Sequence, residues 1–226
     1  MSPTVLAAVD DLVNWEWVAR NLDDILARTR QHVVLTVAAV GIGFVVAFGL
    51  SLWSLSSPRA RKPITVATAV SYTVPSLAVF VFLVPFTGLG VTTSLIGLSL
   101  YTLLILVRNI VAGLDGVADD VLDAARGMGL DDRRILWRVR LPLALPVIVG
   151  GVRIATVTTV GLVTVTALVG QGGLGWFILR GLNSVANRST LVIVGVVLSV
   201  ALAIAFDLAI ERVGRRITPW VRQRET

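Results

Sequence analysis

Asp123-Ala124-Ala125, Gly127, Gly129 and Val139-Arg140-Leu141-Pro142 lie in the one long charged interval of an otherwise apolar sequence. Their chemistry is that of a docking surface, not of a reaction. Ala124 and Ala125 leave room for close approach, while Gly127 and Gly129 relax the steric limit on φ and permit a sharp reversal between two short helices. Asp131 or Asp132 can cap the second helix, and Arg138 and Arg140 suit its C-terminal end. Leu141-Pro142 is expected to stop that helix, because proline lacks the amide donor and disfavours helix in the residue before it.

Reactive side chains are scarce elsewhere. There is no cysteine, which removes disulfides and thiolate metal or redox sites. Lys62 is the single lysine and precedes Pro63, so no GKS or GKT phosphate loop exists, and any ATP that powers the protein must be held by another subunit. His32 is the single histidine, which leaves no HExxH metal site and no triad; at the edge of an apolar run it is expected at the membrane interface. Neither cofactor nor metal is expected in this chain.

The elements that must position the charged interval follow from composition. The 226 residues are 55% hydrophobic and 15% charged, with mean hydropathy +0.85, which marks an integral membrane protein. The net charge of +6 comes from arginines that flank apolar runs, so it reads as a topology signal and not as a nucleic-acid face.

Residues 1–32 place Leu12, Trp15, Val18, Leu22, Ile25 and Leu26 on one helical face, predicting an amphipathic helix at the membrane surface with Trp15 and Trp17 as anchors. Apolar runs then predict five spans, near 33–55, 64–85, 91–110, 147–169 and 191–210, within a transmembrane domain of residues 33–215. Pro75 is expected to kink the second span. Thr156, Thr158, Thr159, Thr164 and Thr166 can bond back to their own helix or line a path. Gly170 to Gly175 are expected to form a flexible turn, and Asp207 an ion pair at the end of the last span, beside Glu211 and Arg212. With the amino end outside, 15 of the 20 basic residues fall on the inner side, including the charged interval and a basic tail at 216–226.

The spacing Asp123-Ala124-Ala125, three residues, Gly129, nine residues, Val139, one residue, Leu141-Pro142 resembles the coupling motif of permease subunits of ATP-binding-cassette importers. Asp replaces the motif's Glu at 123, and Val its Ile at 139. The resemblance implies an all-α, polytopic type I importer permease whose segment 117–142 fits a groove on a separate cytoplasmic ATPase, where ATP and Mg would bind. It also implies a second permease subunit, an extracytoplasmic substrate-binding protein and the bacterial plasma membrane.

Three stretches look like the subgroup that imports glycine betaine, choline and carnitine. They are Val74-Pro75-Ser76-Leu77-Ala78, Leu100-Tyr101-Thr102-Leu103-Leu104 with Arg108-Asn109, and Ala167 to Gly175. Methionine or another small solute is the alternative within the class; a secondary transporter or a membrane scaffold lies outside it. Tyr72, Pro75, Tyr101, Thr159, Gly172 and Gly173 are the candidate path or gate residues. Tyr72, Tyr101, Trp176 and Phe177 offer aromatic faces to a quaternary amine.

Overall fold

The computed structural model describes residues 12–71 and 73–220, so Tyr72, most of the basic tail and the start of the amphipathic segment lie outside the described residues. Among the described residues, nine helical elements follow in order. They are α1 (Trp15–Arg20), α2 (Leu22–Ser56), α3 (Pro58–Ser71), α4 (Ser76–Thr87), α5 (Val91–Asp115), α6 (Asp119–Gly127), α7 (Asp132–Val169), α8 (Gly175–Leu182) and α9 (Arg188–Ile217).

Of these, α2, α5, α7 and α9 are long and apolar enough to cross a membrane, so four such helices stand among the described residues where five were expected. The difference lies in the stretch 64–85. Pro75 does not kink one span there but starts a new helix, at φ −59° and ψ 132°, which leaves α3 and the short apolar α4 as separate pieces. The reason is local: the ring disfavours helix in Val74, and the Val74 carbonyl accepts a hydrogen bond from the Tyr101 hydroxyl at 2.6 Å instead of one along a helix.

The other helices also differ at their ends. The first long helix begins at Leu22 and passes through position 33 without interruption, and the last extends to Ile217. More consequential is α7, which runs through Leu141-Pro142 although a stop is expected there. Residues Leu136–Arg140 form a π turn, in which the Leu141 N–H bonds to the Leu136 carbonyl five residues back. The wider turn shifts the ladder just before Pro142, so the pyrrolidine ring is accommodated without ending the helix.

The chain forms two compact units, one of Met1–Ala39, Pro75–Leu98 and Thr158–Ala205, the other of Val40–Val74, Ser99–Val157 and Phe206–Thr226. In the first, Leu35, Ala39, Phe80, Leu98, Val163 and Val169 make one buried cluster and Ile25, Leu174, Phe177 and Leu191 another. Leu106, Ile110, Leu114, Ala144 and Ile148 centre the main cluster of the second.

Because lipid tails are as apolar as leucine, close packing and not water exclusion holds spans together, and small residues permit it. In the second unit a Cβ on Gly113 would stand 3.1 Å from the Ala144 carbonyl oxygen, and one on Gly43 would collide with the Thr102 hydroxyl. Several hydroxyls inside spans satisfy themselves along the helix: Thr156 bonds to the Val152 carbonyl and Ser199 to that of Gly195, both at 2.7 Å.

Candidate docking site and pathway residues

Asp119 and Asp120 open α6, where carboxylates complement the helix dipole. The helix closes in a paired-hydrogen-bond turn. The Gly129 N–H reaches the Arg126 carbonyl at 2.9 Å, and the Leu130 N–H reaches that of Ala125 at 3.2 Å. Gly129 takes φ +80°, the left-handed conformation this turn requires and glycine adopts at least cost. Asp131, not Asp132, then caps α7, its carboxylate accepting from the Arg134 N–H at 2.7 Å.

A small apolar core of Val117, Leu122, Ala125 and Ile135, with Leu130 and Val139 against it, locks the start of α7 onto α6. Ala125 therefore faces inward, while Asp123, Ala124, Gly127 and Gly129 are exposed and Leu141 and Pro142 half-buried. Sequence reasoning missed Val121 and Met128. Both are exposed, Met128 by 74%, and with Ala124 they form an apolar stripe at helical spacing beside the face that carries the core. The i, i+3, i+7 pattern carries that signal.

Gly127 is open as well, since a Cβ there would meet nothing within 4 Å. Beside the stripe, Asp123 and Arg126 form an exposed pair at 2.8 Å, of a kind worth about 0–1 kcal/mol and easily exchanged for a partner's charge. The surface is thus a small apolar stripe among exposed charges, held on a helix pair whose second member continues directly into a membrane span. Chemically it can dock a partner and transmit force; it holds no reactive group.

The other candidates divide between the two units. Tyr101 belongs to the second, its hydroxyl occupied by Val74. Pro75, Thr159, Gly172 and Gly173 belong to the first, with Thr159 buried.

There the turn after α7 is packed, contrary to the flexible one expected. Gly170, Gly172 and Gly173 all have positive φ. A Cβ on Gly173 would lie 2.6–2.8 Å from Cβ, Cα and N of His32, and one on Gly172 would run into the Ala167 backbone. His32 is fully buried within the protein and presents no open face to a membrane interface. Its Nδ1 accepts the Leu174 N–H at 3.3 Å, so Nε2 carries the proton and donates to the Val160 carbonyl at 3.0 Å. The neighbouring Gln31 side chain bonds to Gln171. Two successive α2 residues therefore staple the turn.

Trp176 packs edge-on against buried Phe177, with the Arg28 and Arg180 guanidinium carbons 4.3 and 4.7 Å from its ring centre. Cations of the chain itself thus occupy this aromatic site.

Residues 39–219 match the family described as binding-protein-dependent transport system inner membrane component. The chain belongs to this family. It is 33% identical over 199 residues to the carnitine transport permease protein OpuCB of Listeria monocytogenes, covering 88% of this chain and 90% of the relative. Over 209 residues it is 31% identical to the choline transport system permease protein OpuBB of Bacillus subtilis, covering 92% and 95%. A chain of the inward-facing MetNI methionine ABC transporter superposes with a TM-score of 0.77 at 22% identity, covering 86% of this chain and 96% of that one. That likeness establishes the fold of this permease as one used by ABC importers. As a family member it is a multi-pass transport subunit that works with a binding protein and an ATPase.

Proposed function

We propose that this permease imports a quaternary-ammonium osmoprotectant such as glycine betaine, choline or carnitine by alternating access. The observation that carries the reading is the likeness, over about nine-tenths of the chain, to proteins named for carnitine and for choline transport. Two permease subunits line the pathway, as a homodimer or with a second chain. A separate ATPase subunit, holding ATP and Mg, docks on residues 117–142 and hydrolyses the nucleotide. The amino end lies outside and the carboxyl end in the cytoplasm of a bacterial cell, as the distribution of arginine favours.

Docking is supported by the stripe of Val121, Ala124 and Met128, by the open Gly127, and by the helix that joins this surface to a span. ATP-driven closure of the ATPase pair would move α6 and α7 together, because their shared core makes them one body.

A quaternary amine donates no hydrogen bond and is held by aromatic faces, each worth about 0.5–2 kcal/mol. Trp176 already carries two guanidinium groups and Phe177 is buried, so we assign tight recognition to the binding protein and low-affinity passage to the permease.

The test is uptake into proteoliposomes holding this chain with its ATPase, in the presence of its binding protein and internal ATP. Labelled choline, carnitine and glycine betaine should accumulate and methionine should not. Uptake of methionine alone would overturn the substrate assignment.

A further inference from the structure

We propose that a groove in the second unit, between the end of α2, the start of α3 and α5, binds one anionic phospholipid. The groove has a volume of about 540 Å³ and is walled by Leu50, Trp53, Ala60, Ile64 and Leu104, with Arg59 also in its lining. Its walls are otherwise almost wholly apolar, as a hydrocarbon chain requires. Trp53 is 58% exposed and lies close to the end of α2, the depth at which indoles sit at a membrane–water boundary.

The charge beside the groove is only partly answered among the described residues. Arg59, Arg61 and Lys62 crowd the start of α3, whose first turn has no acidic residue. A helix N-terminus is itself positive and favours anions, so cations there raise an already positive potential. Arg61 is answered by Asp115. Arg59 and Lys62 are exposed, and neither has an acidic partner among the described residues. Two open cations and a helix N-terminus beside an apolar groove fit an amphiphile with an anionic head and a long tail. Inorganic phosphate lacks the tail, and phosphatidylcholine lacks the net charge.

The experiment is native mass spectrometry of the full chain in detergent, titrated with dioleoylphosphatidylglycerol or dioleoylphosphatidylcholine. One phosphatidylglycerol per chain should be retained in preference to phosphatidylcholine. Arg59→Gln and Lys62→Gln should each weaken retention about fivefold, the effect of one basic residue at a membrane surface. Ala67→Phe, which narrows the groove from its lining, should abolish retention while the melting temperature stays that of the wild type. Equal retention of the two lipids, or an Arg59→Gln/Lys62→Gln double variant that still holds phosphatidylglycerol, would overturn the proposal. So would variants that keep their lipid but pass from dimer to monomer, because the groove would then be a contact between copies.

Discussion

Arg153 on α7 grips Asp207 on α9 with both arms of its guanidinium, Nε to Oδ1 at 2.8 Å and Nη2 to Oδ2 at 2.7 Å, and reaches Glu211 at 3.2 Å. The fork matches a carboxylate better than a single contact can, and it lies inside one unit where Gly214 lets α9 approach Val149. Glu211 is shared, because Arg215 also binds it. Asp207→Asn should therefore destabilise the protein more than Glu211→Gln does. We expect a melting temperature in detergent lowered by about 2–5 °C for the first and by less for the second. The reverse order would mean that Glu211 carries the contact.

Gly127 and Gly129 separate docking from folding. At Gly127 the chain leaves open space and a helical φ, so Gly127→Trp should insert and melt as the wild type does. It should nonetheless lose transport and ATPase co-purification, since the indole would stand on the docking face. Gly129→Ala has room for its Cβ but must hold φ +80°, at a cost of about 1–2 kcal/mol to the turn. Its loss should appear in thermal stability before it appears in docking. Co-purification of the ATPase with Gly127→Trp at the wild-type level would remove this face from the interface.

What could be read from the sequence was local in chain distance. The reversal at Gly129 and a cap from Asp131 or Asp132 depend on neighbours within a few residues, and the apolar runs announced a helical membrane protein. Contacts made at long range were hidden. His32 looked interfacial because its partners, Val160 and Leu174, are 128 and 142 residues away. Arg153 and Asp207 are 54 residues apart, so the ion pair expected at Asp207 carried no sign of this partner. Pro142 and Pro75 misled in opposite ways. A π turn carries the helix past the first, whereas at the second the Tyr101 hydroxyl takes the carbonyl of Val74 and the span divides.

The glycines of the turn after α7 are not equivalent. Gly170→Ala meets its nearest atom, Leu89 Cβ, at 3.7 Å, so strain at φ +89° is its main cost. Gly173→Ala adds to similar strain a collision with the main chain of α2 at His32, which cannot move as a side chain can. We expect a loss of about 1–2 kcal/mol for the first and roughly 2–4 kcal/mol for the second, read as folded yield and thermal unfolding in detergent. Equal losses would show that α2 yields at this point and that the turn is not clamped.

His32 supplies both a donor and an acceptor to main-chain groups, and its replacements should rank by how much of that they retain. His32→Leu fills comparable space but leaves the Leu174 N–H without its partner, at about 1–3 kcal/mol, and removes the second hydrogen bond from the Val160 carbonyl, which keeps its place in the helix ladder. His32→Gln keeps an amide donor and a carbonyl acceptor on one side chain and should recover part of that loss. The specific readout is hydrogen exchange at the Leu174 amide, which should quicken strongly in His32→Leu and less in His32→Gln. Slow exchange in both would mean that Gln31 with Gln171 and the packing of Gly173 hold the turn without the imidazole, making the histidine a space-filler there.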